Sequence, residues 1–334
     1  MPTPMIYRGK KVLVTGAGGF IGSHLVEALV RGGACVRALL RYSSRADVGN
    51  LEFLPQDVTA QTEVIRGDLR DPHFMLGAGE GCEVVFHLGA LIAIPYSYQA
   101  PGEYIATNVV GTLNVLEAAR IHKMSRVIHI STSETYGTAQ YTPIDEQHCL
   151  IGQSPYAASK IGADKLTESY FHSYGIPVVT VRPFNTYGPR QSARAVIPTI
   201  LSQLLAGCEA LRLGSLAPVR DLTYVSDTVA GMLALGGCDQ AIGKTVNLGT
   251  GEAVSVGNLA RKCIAAVGRD VPIELEQERV RPEPSEVMVL LSNNGLAKAL
   301  CGWEPHVAME EGLQRSAEFI GRFPGLYRPK EYQR

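Results

Sequence analysis

A tyrosine and a lysine four residues apart, Tyr156 and Lys160, form the clearest candidate catalytic pair in the sequence. They lie inside a predicted helix, 155–174, where a spacing of four puts both side chains on one face. A lysine ammonium beside a phenol favours the phenolate, which lowers the tyrosine pKa towards the working range of a general base. Because this spacing is frequent by chance, an ordinary surface Tyr–Lys pair is the competing interpretation.

A run of hydroxyl side chains follows the predicted strand 127–130, in Ser131-Thr132-Ser133-Glu134-Thr135-Tyr136-Gly137. A hydroxyl at the carboxyl end of a strand in an open α/β sheet lies at the cofactor crevice, where it can bond a substrate oxygen. A turn that is merely rich in serine and threonine is the alternative. This run and the Tyr–Lys pair stand in the order of a catalytic site, and together they predict one.

A glycine-rich turn joins the predicted strand 11–15 to the predicted helix 21–31. Gly16 permits a tight turn, Gly19 lets the backbone approach a pyrophosphate, and Gly22 lets the helix pack closely on the sheet. The positive end of the helix, at Phe20 and Ile21, then faces the phosphates. An ordinary strand–helix turn is the alternative in a chain with 35 glycines. The flanking strand and helix favour a dinucleotide site.

The end of the second predicted strand indicates which dinucleotide binds. NAD-binding proteins usually carry an acid there, for the ribose 2′-hydroxyl. This chain has Leu40-Arg41-Tyr42-Ser43-Ser44-Arg45, with no acid before Asp47. Arg41, helped by Ser43, Ser44 or Arg45, can hold a 2′-phosphate, which favours NADP and leaves NAD as the alternative; a solvated basic loop is the other interpretation. Asp68 is expected to accept from the adenine amino group, or else to cap a helix.

Short apolar segments alternate with segments of helical period in the first half of the chain. Because they show little polar alternation, the apolar segments are typical of strands buried on both faces of a parallel sheet. The predicted strands are 11–15, 35–40, 64–66, 84–87, 127–130 and 178–181, and the predicted helices are 21–31, 104–122 and 155–174. This order predicts an α/β fold with a doubly wound parallel sheet, a Rossmann domain, over residues 1–183. Residues 184–334 are expected to form mainly a smaller α/β substrate lobe, with 221–250 returning to the sheet and 276–286 forming a loop.

Composition and charge exclude several classes of function. The 334 residues carry a net charge of −1, so there is no basic field to hold nucleic acid. The apolar runs are too short for a membrane span, and the N-terminus lacks the apolar core of a signal peptide. Seven scattered cysteines without a CxxC pair are typical of reduced thiols and provide no zinc site. We therefore expect a soluble cytoplasmic protein without a metal.

On these motifs the chain resembles the extended short-chain dehydrogenase/reductases over nearly its whole length. Within that class, Ser131-Thr132-Ser133-Glu134 followed by Tyr136-Gly137 is similar to the GDP-mannose 4,6-dehydratases. Segments 90–98, 136–141 and 190–198 resemble the UDP-N-acetylglucosamine 4,6-dehydratases of the legionaminic acid pathway. The chain departs from its relatives at Gly89, where alanine is usual, and at Arg41, which is unlike the members that use NAD.

The resemblance implies a mechanism for a nucleotide-sugar 4,6-dehydratase. Tyr156 takes the proton of the sugar 4-hydroxyl, Thr132 bonds the same oxygen, and Lys160 holds the nicotinamide ribose. Glu134 removes the C5 proton as general base, water leaves C6, and the hydride returns there, so the cofactor is regenerated in each cycle. Ser133 replaces the Asp of dTDP-glucose dehydratases; because serine is a poorer proton donor, Glu134 is expected to act twice.

The resemblance also implies the binding residues. Further cofactor contacts are expected at Leu69, Leu88, Ala90 and Asn108. Substrate contacts are expected at Asn185, Arg194, Arg220, Arg281 and Glu286. Arginine suits phosphate because its planar fork donates two parallel bonds. Structural salt bridges are the alternative for Arg220, which has Asp221 beside it.

Three further expectations complete the interpretation. The family implies a homodimer formed through helices 104–122 and 155–174. The histidines His24 and His129 are expected to be packed or on the surface rather than catalytic. A nucleotide-sugar 4-epimerase that uses Thr132, Tyr156 and Lys160 alone is the alternative activity, and a non-catalytic dinucleotide sensor is a more distant one.

Overall fold

The computed structural model of the chain describes residues 5–276 and 287–328. The strands are β1 (Lys11–Thr15), β2 (Cys35–Arg41), β3 (Thr62–Gly67), β4 (Val84–His87), β5 (Arg126–Ile130), β6 (Val178–Pro183), β7 (Asn185–Tyr187), β8 (Leu211–Leu213), β9 (Val219–Tyr224), β10 (Thr245–Leu248), β11 (Ala253–Ser255), β12 (Ile273–Leu275) and β13 (Val289–Leu290). The helices are α1 (Phe20–Arg31), α2 (Gln56–Thr59), α3 (Pro72–Gly79), α4 (Ile94–Gln99), α5 (Pro101–Tyr104), α6 (Gly111–Ile121), α7 (Pro155–Tyr174), α8 (Val196–Leu205), α9 (Val225–Gly236), α10 (Val256–Val267), α11 (Gly295–Cys301) and α12 (Met309–Arg322). Short 3₁₀ turns lie at Met5–Tyr7, Gly49–Phe53, Ser133–Tyr136, Asp239–Ala241 and Pro324–Leu326.

A seven-stranded parallel sheet forms the centre of the molecule, in the order β10-β6-β5-β4-β1-β2-β3. Alternate residues of β1 pack on opposite faces: Val12 and Val14 join a core with α1, whereas Leu13 joins a core with α6. Since both faces are covered by helices, every residue of these strands favours an apolar side chain, which explains the apolar runs in the sequence. The predicted doubly wound α/β fold is confirmed.

The predicted elements of the first half are present, with small differences at their ends. Strand β3 begins at Thr62 rather than at residue 64, and helix α7 has the predicted bounds. The single helix predicted over 104–122 was wrong in detail, because Ile105–Val110 is π-helical and α6 follows it. A π-turn inserts one extra residue into the helical repeat, which an apolar period does not reveal.

The second half of the chain contributes to both the large sheet and two smaller ones. Strands β11, β9 and β13, with β7 paired to β9, form a four-stranded sheet, and β12 pairs with β8. Within residues 221–250, β10 pairs with β6 at the edge of the large sheet, and α9 packs on α1 and β6. Strand β9, in contrast, belongs to the smaller sheet. Most of the segment predicted as a loop at 276–286 lies outside the described residues.

Candidate active site

Helix α7 places Tyr156 and Lys160 on the buried side of the molecule. The helix begins at Pro155, and the Ser154 side chain caps it by accepting from the Ala157 amide at 3.1 Å. This cap fixes where the helical repeat starts, so that the residues of the pair point towards the carboxyl end of β5. Only 7% of Tyr156 and 3% of Lys160 is exposed. The two side chains are therefore not the surface pair of the alternative interpretation.

The residues after β5 meet Tyr156. Thr132 is the hydrogen-bonding group that lowers the pKa of Tyr156, and its hydroxyl oxygen accepts from the Glu134 amide at 3.2 Å. Burial raises the pKa of Tyr156; the bond with Thr132 lowers it, and the negative charge of Glu134 raises it. Thr132, Glu134 and Tyr156 thus form one cluster, and Ser133 is buried beside them.

Lys160 does not give the tyrosine the low pKa that the sequence led us to expect. Its ammonium donates to the Ile130 carbonyl at 2.7 Å, and burial lowers its own pKa to about 8. In the chain alone, burial outweighs the effects that favour the phenolate of Tyr156.

A buried ionic cluster, Asp164, Arg182, His129 and Ser131, lies behind Lys160. Asp164 accepts from Arg182 at 2.8 Å, from Ser131 at 2.8 Å and from His129 at 3.1 Å. Although burial opposes its ionisation, these partners lower the pKa of Asp164 to about 2. This cluster was not predicted from the sequence. Its one local signal was the position of Asp164, four residues beyond Lys160 on the same helical face.

The glycine-rich turn has no space for side chains. Gly16 has a φ of +69°, and a Cβ there would lie 2.8 Å from the Gly89 amide nitrogen. A Cβ on Gly22 would lie 2.2 Å from the Gly16 carbonyl oxygen. Gly19 precedes the first turn of α1, which begins with Phe20 and Ile21. A concave backbone surface at a helix N-terminus fits the pyrophosphate of a dinucleotide.

The segment after β4 borders this turn. A Cβ at Gly89 would lie 2.5 Å from Leu69 Cδ1, so an alanine there would require the Leu69 side chain to move. Asn108 donates to the Leu91 carbonyl and to Ser159, and accepts from the Leu91 amide. These bonds of the Asn108 side-chain amide hold the backbone after Leu88 and Ala90 against α7.

A hydrogen-bonded chain continues from Asn108 to the glycine-rich turn. Thr112 donates to the Asn108 carbonyl at 2.6 Å, so its oxygen accepts from His87 Nε2. His87 Nδ1 then accepts from Thr15, whose oxygen also accepts from the Gly89 amide. The chain fixes the carboxyl ends of β1 and β4 relative to each other.

The predicted adenosine contacts lie at the ends of β2 and β3. Arg41, Ser43 and Ser44 are exposed. Asp68 pairs with Arg70 at 2.7 Å. The capping alternative for Asp68 was wrong, because Asp71 caps α3 by accepting from two amides of its first turn.

The predicted substrate residues are only partly described. Asn185 begins β7, and its Oδ1 is buried without a hydrogen-bond partner among the described residues. The charge of Arg194 lowers the pKa of Tyr104, although burial of that phenol raises it more, and the Tyr104 ring lies 6.3 Å from that of Tyr156. Arg281 and Glu286 lie outside the described residues.

Arg220 and its neighbour Asp221 have separate partners. The Asp221 carboxylate accepts from the amides of Thr250, Gly251 and Ser292 at 2.8, 2.9 and 3.2 Å. Arg220 donates to the Val219 carbonyl at 3.0 Å. Within the described residues no salt bridge joins Arg220 to Asp221.

His24 and His129, which were not expected to be catalytic, are packed against neighbouring residues. His24 Nε2 contacts the Pro189 carbonyl at 3.0 Å, and burial lowers the pKa of His24 to about 4. His129 belongs to the ionic cluster, and burial lowers its pKa as well. Residues 5–276 and 287–328 contain no group of three or more side chains suited to a metal ion, and no helix with the length and apolar character of a membrane span.

Comparison with known proteins gives a consistent set of relatives. The chain matches the family described as GDP-mannose 4,6 dehydratase over residues 13–316. A dTDP-glucose 4,6-dehydratase of Actinoplanes sp. is 37% identical over 232 residues, 68% of this chain and 72% of the relative. A UDP-glucose 4-epimerase of Mycolicibacterium smegmatis is 33% identical over 316 residues, 93% of this chain and 98% of the relative. The structure of the dTDP-glucose 4,6-dehydratase DesIV from Streptomyces venezuelae, with NAD bound, has a TM-score of 0.82 at 28% identity and covers 96% of this chain and 100% of that chain.

Proposed function

Because this chain belongs to the GDP-mannose 4,6-dehydratase family, within the nucleotide-sugar dehydratases and epimerases of the extended short-chain dehydrogenase/reductase class, we propose that it is a nucleotide-sugar 4,6-dehydratase. The observation that carries the proposal is the cluster of Thr132, Glu134 and Tyr156. Hydride transfer to and from C4 of the sugar requires the Tyr156 phenol and the Thr132 hydroxyl. A carboxylate beside them is needed only when a proton must also leave C5.

The cluster assigns a task to each side chain. Tyr156 takes the proton of the sugar 4-hydroxyl, while Thr132 bonds that oxygen and the phenol. A bound nicotinamide dinucleotide supplies the hydride acceptor for C4, the hydride for C6 and a positive charge beside the phenol. Glu134 removes the C5 proton that the 4-ketone has made acidic, and then protonates the departing C6 hydroxyl, for which the hydroxyl of Ser133 is a poor donor.

Segments 90–98, 136–141 and 190–198 support UDP-N-acetylglucosamine as the substrate, because they resemble dehydratases that act on it. Asn185 and Arg194 are the proposed substrate contacts among the described residues, together with Arg220 and, outside them, Arg281 and Glu286. The Asn185 Oδ1, which is buried without a partner among the described residues, supports this assignment.

NADP is the proposed cofactor, with NAD as the alternative that solved relatives bind. Leu40, at the end of β2, is buried, and its Cδ2 would lie 2.9 Å from a Cβ on Gly18. An apolar side chain thus occupies the position from which a carboxylate would bind the ribose 2′-hydroxyl. Arg41, Ser43 and Ser44 remain the proposed contacts of the 2′-phosphate, and Asp68 that of the adenine.

Mass spectrometry tests the activity and separates it from epimerisation. The purified protein is incubated separately with UDP-N-acetylglucosamine, GDP-N-acetylglucosamine, GDP-mannose and dTDP-glucose. A dehydratase product has lost the mass of one water, and we expect this with UDP-N-acetylglucosamine. A product of unchanged mass with inverted C4 would instead establish the 4-epimerase.

The variant Glu134→Gln tests the role of the carboxylate. It should still oxidise C4, visible as absorbance of the reduced nicotinamide, while elimination of water falls by about 10²-fold or more. Glu80→Gln, which alters an exposed carboxylate after α3, should leave both steps unchanged. Full dehydratase turnover by Glu134→Gln would overturn the assignment.

A cytoplasmic homodimer is part of the proposal. Exposed apolar side chains lie on the helices that the family implies for dimerisation: Ile105 on the π-helical segment, Ile121 on α6 and Tyr174 on α7. The Arg120 guanidinium lies over the Tyr174 ring at 5.4 Å, so α6 and α7 present a single surface there. Sedimentation analysis should give twice the chain mass for the wild type, and the single-chain mass for Ile121→Asp.

A further inference from the structure

We propose that Arg66, on β3, is a further specificity-determining residue for the cofactor, and that its guanidinium binds the 2′-phosphate from below the loop that follows β2. The inference rests on the NADP part of the proposed function. It adds a residue that the glycine-rich turn and the end of β2 do not include.

The strand register places Arg66 on the ribose side of the sheet. Arg66 lies opposite Leu40 in the parallel pairing of β2 with β3. Paired residues of adjacent strands point to the same face, because side chains alternate with the same period along both strands. Leu40 faces Gly18 of the glycine-rich turn. Arg66 therefore lies one strand farther out on that same face.

Arg66 also determines the shape of the loop above it. Its Nη2 donates to the Ala46 carbonyl at 3.1 Å. The Ala46 amide closes a turn by donating to the Ser43 carbonyl at 3.1 Å, and Ala46 has a φ of +52°, in the left-handed region that side chains disfavour. Because Ser43 and Ser44 lie within this turn, the Arg66 bond orients the residues that we propose as phosphate contacts.

The guanidinium retains donor capacity in this position. Its Nε is buried and has no hydrogen-bond partner among residues 5–276 and 287–328, and no ion pair of Arg66 occurs in that part of the chain. A buried donor without a partner is unfavourable, so an anion that satisfies it is favoured. A phosphate oxygen suits the planar fork of arginine.

Two acids close to Arg66 and Ala46 in the sequence have other partners. Asp47 accepts from the Gly49 amide at 2.6 Å, and Asp68 pairs with Arg70. Arg66 thus lies beneath a loop that carries the exposed side chains of Ser43 and Ser44. NAD lacks the 2′-phosphate, so Arg66 should discriminate between the two dinucleotides.

Calorimetric titration of the full chain with NADP⁺ and with NAD⁺ tests the inference. Wild type should bind NADP⁺ more tightly, and Arg66→Gln should weaken NADP⁺ binding by about tenfold or more while changing NAD⁺ binding less than twofold. The NADP⁺ affinity of Arg66→Lys, which keeps the charge but not the planar fork, should lie between those of the wild type and Arg66→Gln.

Arg37→Gln is the matched control. Arg37 also has a buried Nε without a partner among the described residues, but it lies an odd number of residues before Leu40 on β2 and therefore on the other face of the sheet. Its affinities for both dinucleotides should match the wild type.

The outcomes separate this inference from the rest of the proposed function. An equal loss of both affinities in Arg66→Gln would mean that Arg66 only supports the loop, and unchanged NADP⁺ binding would mean that other residues hold the phosphate; either result overturns the inference. A wild type that binds NAD⁺ more tightly would overturn it together with the choice of NADP. In each of these cases, loss of water from the sugar nucleotide would still establish that the protein is a dehydratase.

Discussion

Arg182 donates to Asp164 at 2.8 Å in the interior of the molecule. Asp164 lies on α7, one helical turn beyond Lys160. Two cations, Lys160 and Arg182, and one anion, Asp164, thus lie buried together behind Tyr156. The titratable groups facing them include His129 on β5 and His87 on β4, whose pKa values burial lowers, and Tyr136, whose ring lies 4.8 Å from the Arg182 guanidinium. The charge that opposes the effect of burial on the pKa of Lys160 is that of Asp164.

Replacement of Asp164 by Asn should shift the pH profile of the enzyme. Burial lowers the pKa of Lys160 to about 8, and the charge of Asp164 opposes that effect. Without Asp164, the pKa of Lys160 falls farther, so the protonated lysine is lost at a lower pH. The alkaline limb of kcat against pH should move towards acid by about one to two pH units. The measurement is the rate of water loss between pH 6 and pH 9.

Glu168→Gln is the control for this prediction. It removes a carboxylate from the same helix one turn later, where Glu168 pairs with Lys165 at the surface. Its profile should coincide with that of the wild type. A uniform loss of activity in Asp164→Asn, with the alkaline limb unmoved, would assign Asp164 a purely structural role.

The same carboxylate should contribute to stability in mild acid. The pKa of Asp164 is about 2 in the folded chain, against a usual value of 3.8, because the bond with His129 and the charge of Arg182 outweigh burial. A lowered pKa gives stability that is complete above pH 4 and is lost as the pH falls towards 2. Between pH 5 and pH 3 this group should account for about 1 kcal/mol of the free energy of unfolding.

Urea unfolding at the two pH values measures this contribution. Asp164→Asn should lose less stability between pH 5 and pH 3 than the wild type, although it is less stable at both. Asp57→Asn, at an exposed position, should lose as much as the wild type. Equal acid sensitivity in Asp164→Asn and wild type would contradict the prediction.

The features that could be predicted from the sequence are those determined by local geometry. The Tyr156–Lys160 spacing depends only on the helical repeat, and the glycines at 16 and 22 are required within one strand–helix turn. Apolar runs such as β4 predict burial on both faces and hence the parallel sheet. In each case the physical cause lies within a few residues of its sequence signal.

The features that were missed depend on contacts between distant segments. Arg182 reaches Asp164 only because β6 lies beside β5, an order that the sequence does not specify. The raised pKa of Tyr156 follows from the depth of burial, which the fold as a whole determines. Likewise, Asp221 has four bonds to segments 29 to 71 residues away, so no local pattern identified its partners.

The glycine at 22 should be irreplaceable at its close approach to the turn. A Cβ there would lie 2.2 Å from the Gly16 carbonyl oxygen and 3.0 Å from the Ala17 Cα, both backbone atoms. Gly22→Ala should therefore displace the turn, destabilise the fold by about 1–3 kcal/mol and weaken dinucleotide binding by at least about tenfold. Urea unfolding and calorimetric titration measure the two effects.

A second glycine provides the matched control for this substitution. Gly77, inside α3, has nothing within 4 Å of an added Cβ. Gly77→Ala should stabilise the fold by about 0.5–1 kcal/mol, because it restricts the unfolded chain, and should leave dinucleotide binding unchanged. If both alanine variants bound the dinucleotide as the wild type does, close packing at Gly22 would not be what shapes the phosphate site.

Asp221 should be essential for the junction between β9 and the segments that follow β10 and β13. Its Oδ1 accepts from the amide and the hydroxyl of Thr250, and its Oδ2 accepts from the amides of Gly251 and Ser292. In Asp221→Asn one acceptor oxygen becomes a donor that faces backbone donors. Loss of these charge-assisted bonds should destabilise the fold by about 2–4 kcal/mol, measured by urea unfolding at pH 7. Because Arg220 precedes it on β9, the KM for the nucleotide sugar should also rise.

Glu252→Gln alters an exposed carboxylate in the neighbouring turn, and its stability should stay within about 0.5 kcal/mol of the wild type. Equal stabilities of Asp221→Asn and Glu252→Gln would show that the buried carboxylate does not hold this junction together.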